Sequence, residues 1–226
     1  MFICKKENSM LNIKTFAFNP FQTNTYILSD DSGEAIVIDP SFSDEYEEQK
    51  FDNYLISNNL KLVGAYNTHL HFDHCFGARY LKQKYNLDYA AHPDGLRFVE
   101  GAARQASVYG IQIPEIEIPA LTITEKDTIK FGESELRILN TPGHAAGSLC
   151  FVSDSQRFVI TGDVLFRESI GRTDLPTGNL DTLLESIHTK LFTLDGDYKV
   201  YPGHGPATSI AEEIAGNPFL KFGEIH

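Results

Sequence analysis

The sequence predicts an α/β protein organised as one domain over residues 1–226. Short apolar runs of strand length alternate with longer stretches of helical spacing. With 42% hydrophobic and 22% charged residues, the chain has the composition of an ordinary globular protein and can bury one substantial core. No linker composition, low-complexity tract or internal repeat divides it.

From Leu11 to Ala35 the pattern is strand-like. Ile13, Phe16 and Phe18 come first, then Thr25-Tyr26-Ile27-Leu28, a turn at Asp30-Asp31-Ser32-Gly33, and the apolar run Ala35-Ile36-Val37-Ile38. Asp39-Pro40 ends that run, and Ser43 is the expected cap of a helix reaching about Asn58, with Tyr46, Phe51, Tyr54 and Leu55 on its apolar side. Leu62 to Tyr66 reads as a buried strand, Gly77 to Tyr85 as a helix, and Leu87 to Ala91 as a short strand. A helix over Asp94 to Tyr109 follows, with Leu96, Val99, Ala103 and Val108 at helical spacing. Gln112 to Pro119 carries two prolines and cannot be regular helix, so it is either a lid or a plain connector. Strands are expected over Thr128 to Phe131, Glu135 to Asn140, Ser148 to Val152, Phe158 to Thr161 and Lys199-Val200, with a helix from Asn179 or Asp181 to about Phe192.

The formal charge of −12 argues against nucleic acid as a partner, because such affinity comes largely from Lys and Arg displacing counterions. Cys4, Cys75 and Cys150 are odd in number and form no Cys-x-x-Cys pair, so neither a disulfide framework nor a thiolate zinc site is expected. Cys75 reads as a packing residue. Met1 to Met10 has no apolar core of signal length, and no apolar run approaches the roughly 18 residues of a membrane span. The expectation is a soluble cytoplasmic protein without a membrane partner; the oligomeric state is left open.

The chemistry concentrates in Thr68-His69-Leu70-His71-Phe72-Asp73-His74, at the carboxyl end of the Leu62–Tyr66 strand. In an extended segment alternate side chains share a face, so His69 and His71 point together, and Asp73 and His74 follow where the backbone bends. His144 after Pro142-Gly143, Asp163 after Gly162, and His204 after Pro202-Gly203 each also follow an expected strand. All could therefore converge on one rim, where layered α/β proteins commonly place a site. Five His and two Asp without Cys suit zinc, iron or manganese rather than a thiolate-dominated structural zinc. Seven ligands exceed the needs of one tetrahedral ion, whereas two ions sharing a carboxylate would use them all. A hydrolase with two divalent metal ions, zinc first, is the reading from the residues alone.

These four motifs, in this order, resemble the metallo-β-lactamase superfamily across about Leu11 to Leu220. The resemblance implies a four-layer αββα sandwich with the site at one edge. It assigns His69, His71 and His144 to a first metal and Asp73, His74 and His204 to a second, with Asp163 bridging. Ile170-Gly171-Arg172-Thr173-Asp174-Leu175-Pro176 and Asn217-Pro218-Phe219 resemble the short, single-domain relatives of glyoxalase II, the hydroxyacylglutathione hydrolases. The implied substrate is a small-molecule thioester. Arg172 lies near the family's basic substrate-binding position and could clamp a carboxylate, or it could brace its loop by pairing with Asp174. Glyoxalase II proper carries a further helical domain that supplies much of its glutathione pocket, so the acyl group and thiol carrier are left open.

The implied mechanism uses water whose pKa two metals bring from about 15.7 to about 7, with Asp73 as the catalytic residue that orients it. It attacks the thioester carbonyl, and the thiolate leaves readily because thiols have pKa near about 8.5. Gly171-Arg172-Thr173-Asp174 is also similar to persulfide dioxygenases, oxidoreductases of the same superfamily that use a single iron. That is the alternative function. Phe21, Asn24 and Tyr109 are possible substrate contacts with packing the simpler role, and His92, His188 and His226 read as ordinary residues.

Overall fold

In the computed structural model residues 10–220 are described, apart from 109, 111 and 114. β1 (Asn12–Phe18) and β2 (Thr23–Ser29) form a hairpin, and β3 (Glu34–Ile38) adds antiparallel to β2. The turn before β3 closes through Gly33 N–H donating to Asp30 O at 3.1 Å. β4 (Lys61–Tyr66), β5 (Ala90–Ala91) and β6 (Leu121–Thr122) then extend the sheet in parallel. Parallel neighbours need crossovers, which α1 (Glu45–Ser57), α2 (Ala78–Tyr85) and α3 (Leu96–Val108) supply.

β7 (Thr128–Phe131), β8 (Ser134–Asn140), β9 (Leu149–Ser153) and β10 (Phe158–Gly162) form an antiparallel ladder in the second sheet. A small hairpin, β11 (Leu165–Phe166) with β12 (Ser169–Ile170), follows. α4 (Leu180–Ser186) crosses over to β13 (Lys199–Pro202), which lies parallel to β10, and β14 (Thr208–Ser209) leads into α5 (Ile210–Gly216).

The alternation of side chains along the strands builds the layers. Ile36 and Ile38 of β3 face the second sheet with Tyr26 and Leu28, against Ile138, Phe151 and Ile160. Ala35 and Val37 face the other way, onto Phe51 and Leu55 of α1 and Leu81 of α2. The second sheet repeats the device: Leu149 and Phe151 point into the sandwich, whereas Cys150 and Val152 meet Leu183, Leu184 and Ile210 of α4 and α5. Strands buried on both faces read as continuous apolar runs, which is how β3 and β9 look in sequence. The result is the expected αββα sandwich.

Local details differ from expectation. Asp44, not Ser43, caps α1, accepting from Glu47 N–H at 2.9 Å, while Glu47 reaches back to accept from Ser43 N–H at 2.8 Å. Two neighbouring residues can cap, and the reciprocal bond from Glu47 selects the second. Tyr46 is 65% exposed rather than packed, its ring covered by the Lys50 ammonium at 4.2 Å. On α3, Phe98, Val99, Ala102 and Ala106 are buried and Ala103 is not. Of the stretch expected to be a lid or a connector, residues 115–119 are tethered: Ile116 is buried, and Tyr89 Oη donates to Glu117 O at 2.6 Å. Cys75 and Cys150 are buried free thiols, and Cys4 and His226 lie outside the described residues. No described helix is long and apolar enough to cross a membrane.

Candidate metal centre

The rim where β4, β8, β10 and β13 end gathers all seven expected ligands. After β4 the chain stays extended because Thr68 N–H donates to Asp39 Oδ1 at 2.7 Å and Leu149 N–H donates to Thr68 O at 2.7 Å, holding the segment between the sheets. It then turns through a 3₁₀ step at Phe72–His74. That bend brings His74 against His69, with ring centroids 4.1 Å apart.

Three overlapping triads result: His69, His71 and His144; His69, His74 and Asp163; and Asp73, His74 and His204. Within each, the ligand atoms all lie within 4.8 Å of one another. His69 Nε2 and His144 Nε2 lie 3.1 and 3.0 Å from His71 Nδ1. Asp163 reaches across: Oδ1 is 3.5 Å from His74 Nε2, and Oδ2 is 3.6 Å from His144 Nε2 and 3.5 Å from His204 Nε2. Asp73 Oδ2 is 3.5 Å from His74 Nε2 and 3.4 Å from His204 Nε2.

Outer contacts decide what the imidazoles offer. His69 Nδ1–H donates to Thr68 Oγ1 at 3.1 Å, and that hydroxyl donates on to Asp39 Oδ2 at 2.7 Å. His74 Nδ1–H donates to the same Asp39 oxygen at 3.0 Å. His144 Nδ1–H is taken by the Arg172 carbonyl at 2.8 Å, and His204 Nδ1–H by the Phe21 carbonyl at 3.1 Å. Four rings are thereby fixed with Nε2 directed inward, as a metal requires. His74 Nε2 and Asp163 Oδ1 are buried without a hydrogen-bond partner. Buried polar atoms are costly when left alone, so these orphans fit a bound cation. The oxygen and imidazole donors fit zinc, iron or manganese.

Electrostatically the centre has two sides. Burial, reinforced by the neighbouring His74 and His71, holds His69 well below the usual imidazole range, and burial with His144 pushes His71 down to about 3. Burial also opposes charge on His74, but Asp73, Asp163 and Asp39 outweigh it and push His74 up to about 9. Against the same burial, Asp163 and Asp73 carry His204 up to about 11. Both carboxyls are held below their usual range, burial notwithstanding, by the histidines around them.

These shifts set how the chelator-stripped protein responds to pH. His74 and His204, raised, contribute stability that is complete below about 6.5 and is lost as pH rises through about 9 and about 11. His69 and His71, lowered, contribute stability present above about 6.5 and lost as pH falls below it, in the case of His71 through about 3. Thermal melts of stripped protein are expected to peak near pH 6.5–7, falling on both sides. A melting temperature that keeps rising from pH 7 to 10 would contradict this.

Other candidates take different places. The Arg172 guanidinium forms a two-pronged ion pair with Asp174 at 2.8 and 2.6 Å, which braces its loop. Asn24 is buried, donating to Pro202 O at 3.0 Å and Gly205 O at 2.9 Å, so it supports the His204 turn. Phe21 is 37% exposed and packs edge-on to Phe72. Tyr109 lies outside the described residues. His92 Nδ1 accepts from Asp94 N–H, and His188 packs edge-on to Phe192. Burial pushes the Cys75 thiol well above its ordinary range, as suits packing.

The motifs left two partners of the centre unseen. Asp39 orients His74, and its one sequence signal is an acid closing a buried strand. Thr23, whose hydroxyl donates to Asp73 Oδ2 at 2.9 Å, has no signal of its own.

The sequence model of the Metallo-beta-lactamase superfamily matches residues 18–204. The hydroxyacylglutathione hydrolase GloC of Haemophilus influenzae is 34% identical over 213 residues, covering 93% of this chain and 99% of that protein. The mitochondrial persulfide dioxygenase ETHE1 of Mus musculus is also 34% identical, over 204 residues, covering 88% of this chain and 71% of that one. Among solved structures, BLEG-1 B3 metallo-beta-lactamase superposes with a TM-score of 0.84 at 30% identity, covering 93% of this chain and 100% of that one. TTHA1623 in a di-iron-bound form superposes with a TM-score of 0.81 at 33% identity, covering 92% and 100%.

Proposed function

Because the chain belongs to the metallo-β-lactamase superfamily, we propose that it is a thioester hydrolase of the hydroxyacylglutathione hydrolase type, acting as a single domain on a small-molecule thioester with two divalent cations. The observation that carries the reading is the set of four imidazoles whose Nδ1–H groups are already committed outward, facing two ionised carboxylates. Two triads with separate members, joined by Asp163, support two cations rather than one. His69, His71 and His144 would hold one, Asp73, His74 and His204 the other, with zinc the first candidate and iron supported by the di-iron relative.

Cations bound there would supply a nucleophilic water at neutral pH and positive charge for the oxyanion. The chain's residues do the rest. Asp73, held ionised, can accept a hydrogen bond from water and orient it toward a thioester carbonyl. A thiolate leaving group has a pKa near about 8.5 and needs little help from an acid. The two carboxyls among the ligands are both held ionised, so neither is a ready proton donor, and thioester cleavage suits that. Arg172, exposed on the rim, would serve a substrate carboxylate in exchange for Asp174.

The persulfide dioxygenase reading is favoured by the Gly171-Arg172-Thr173-Asp174 run and by a relative of that activity at the same 34% identity. Metal analysis of protein purified without added metal, with S-D-lactoylglutathione hydrolysis on the same sample, separates them. About two metals per chain with turnover is the expected result. One iron, with sulfite formed from glutathione persulfide and no thioester cleavage, would replace the hydrolase by the dioxygenase.

A further inference from the structure

The triad of Asp73, His74 and His204 is held by a segment that carries no ligand. β2 begins against the His204 turn: Thr23 bridges to His204, Asn24 N–H donates to Gly203 O at 2.7 Å, and His204 Nδ1–H donates to Phe21 O. From this anchored position the Thr23 hydroxyl, fully buried, lies 2.9 Å from Asp73 Oδ2. That is the oxygen facing both His74 Nε2 and His204 Nε2. The hydroxyl has one proton and two neighbouring acceptors, Asp73 Oδ2 at 2.9 Å and Asn19 Oδ1 at 3.3 Å. The amide oxygen of Asn19 already accepts from Phe21 N–H at 2.8 Å, so the proton goes to the shorter contact, the charged oxygen. Asn19 meanwhile donates through Nδ2 to Asp73 O and Ser41 O, both at 2.9 Å, which fixes the backbone of Asp73.

We propose that Thr23 is a positioning residue for the second cation: its hydroxyl locks the rotation of the Asp73 carboxylate with Oδ2 turned toward His74 and His204. This rests on the two-cation reading. The Thr23 hydroxyl bonds to Asp73 and Asn19 and not to His69, His71 or His144, so the effect is confined to one of the two sites. Outer partners of metal ligands are worth about 10–100-fold in affinity. Thr23→Val keeps the branched shape and deletes the donor. Thr23→Ser keeps the donor and deletes a methyl.

The test is a titration of chelator-stripped protein with Zn²⁺ against a chromophoric chelator, which reads the two affinities separately. Wild type is expected to take two equivalents. Thr23→Val should bind the first as wild type does and the second about 10–100-fold more weakly, with Thr23→Ser close to wild type. Equal second-equivalent affinity in Thr23→Val, or an equal loss at both sites, overturns the positioning role and leaves the two-cation reading standing. A wild-type protein that takes up only one equivalent overturns both. If Thr23→Val does not fold, Thr23→Ala and Thr23→Ser supply the same contrast.

Discussion

Asp163→Ala is expected to lower turnover by about 10³-fold or more while the chain remains folded. The two oxygens of its carboxylate approach three different imidazoles, those of His74, His144 and His204. Removing it takes away the joint between the triads and half of the negative charge that Asp73 and Asp163 together present to the cations. About 10³-fold corresponds to about 4 kcal/mol of lost transition-state stabilisation, within what one charge beside a cation supplies. The stripped variant should melt lower than stripped wild type, because Asp163 is the first of the charges that raise His204 and one of those that raise His74; the like charge it presents to Asp73 offsets only part of that loss. Metal content, turnover and a thermal melt on one preparation check all three. Turnover within tenfold of wild type would remove Asp163 from the chemistry.

Asp39→Ala is expected to act through stability, by about 3–5 kcal/mol. Asp39 is fully buried, with a left-handed backbone at φ 51°. Oδ1 accepts from Thr68 N–H at 2.7 Å, and Oδ2 accepts from Thr68 Oγ1 at 2.7 Å and His74 Nδ1–H at 3.0 Å. Alanine would leave these donors buried without an acceptor and force a β-carbon without a polar handle into that conformation. For a chain of this size such a loss lowers the melting temperature by roughly 6–20 °C. Asp39→Asn, which suits the backbone and retains one acceptor, should fall between. A melt of Asp39→Ala within 2 °C of wild type, a shift of about 1 kcal/mol or less, would mean that His74 and Thr68 find other acceptors.

The seven candidate ligands were legible because their chemistry lies in residue type and spacing, and because each group ends a strand whose apolar run is itself readable. β3 and β9 were legible for the same reason: buried on both faces, they run apolar without a break from Ala35 to Ile38 and from Leu149 to Val152. What stayed hidden is the support. The acceptor on His144 is a backbone carbonyl, at Arg172, and a carbonyl has no residue type. Thr23 and Asp73 are 50 residues apart and meet only because the sheet rims coincide. Ser43 and Asp44 could each cap α1, and a third residue, Glu47, decided between them.

The parallel pairing of β10 with β13 also orders events during synthesis. Residue 144 completes the three-histidine cluster, but the triad of Asp73, His74 and His204 waits for the last strand pair and for Thr23 to meet His204 from the opposite end of the chain. At about 5–20 residues per second, seconds of translation separate the two. A nascent chain therefore passes through an interval in which the residues of the three-histidine cluster are all made and those of the other triad are not.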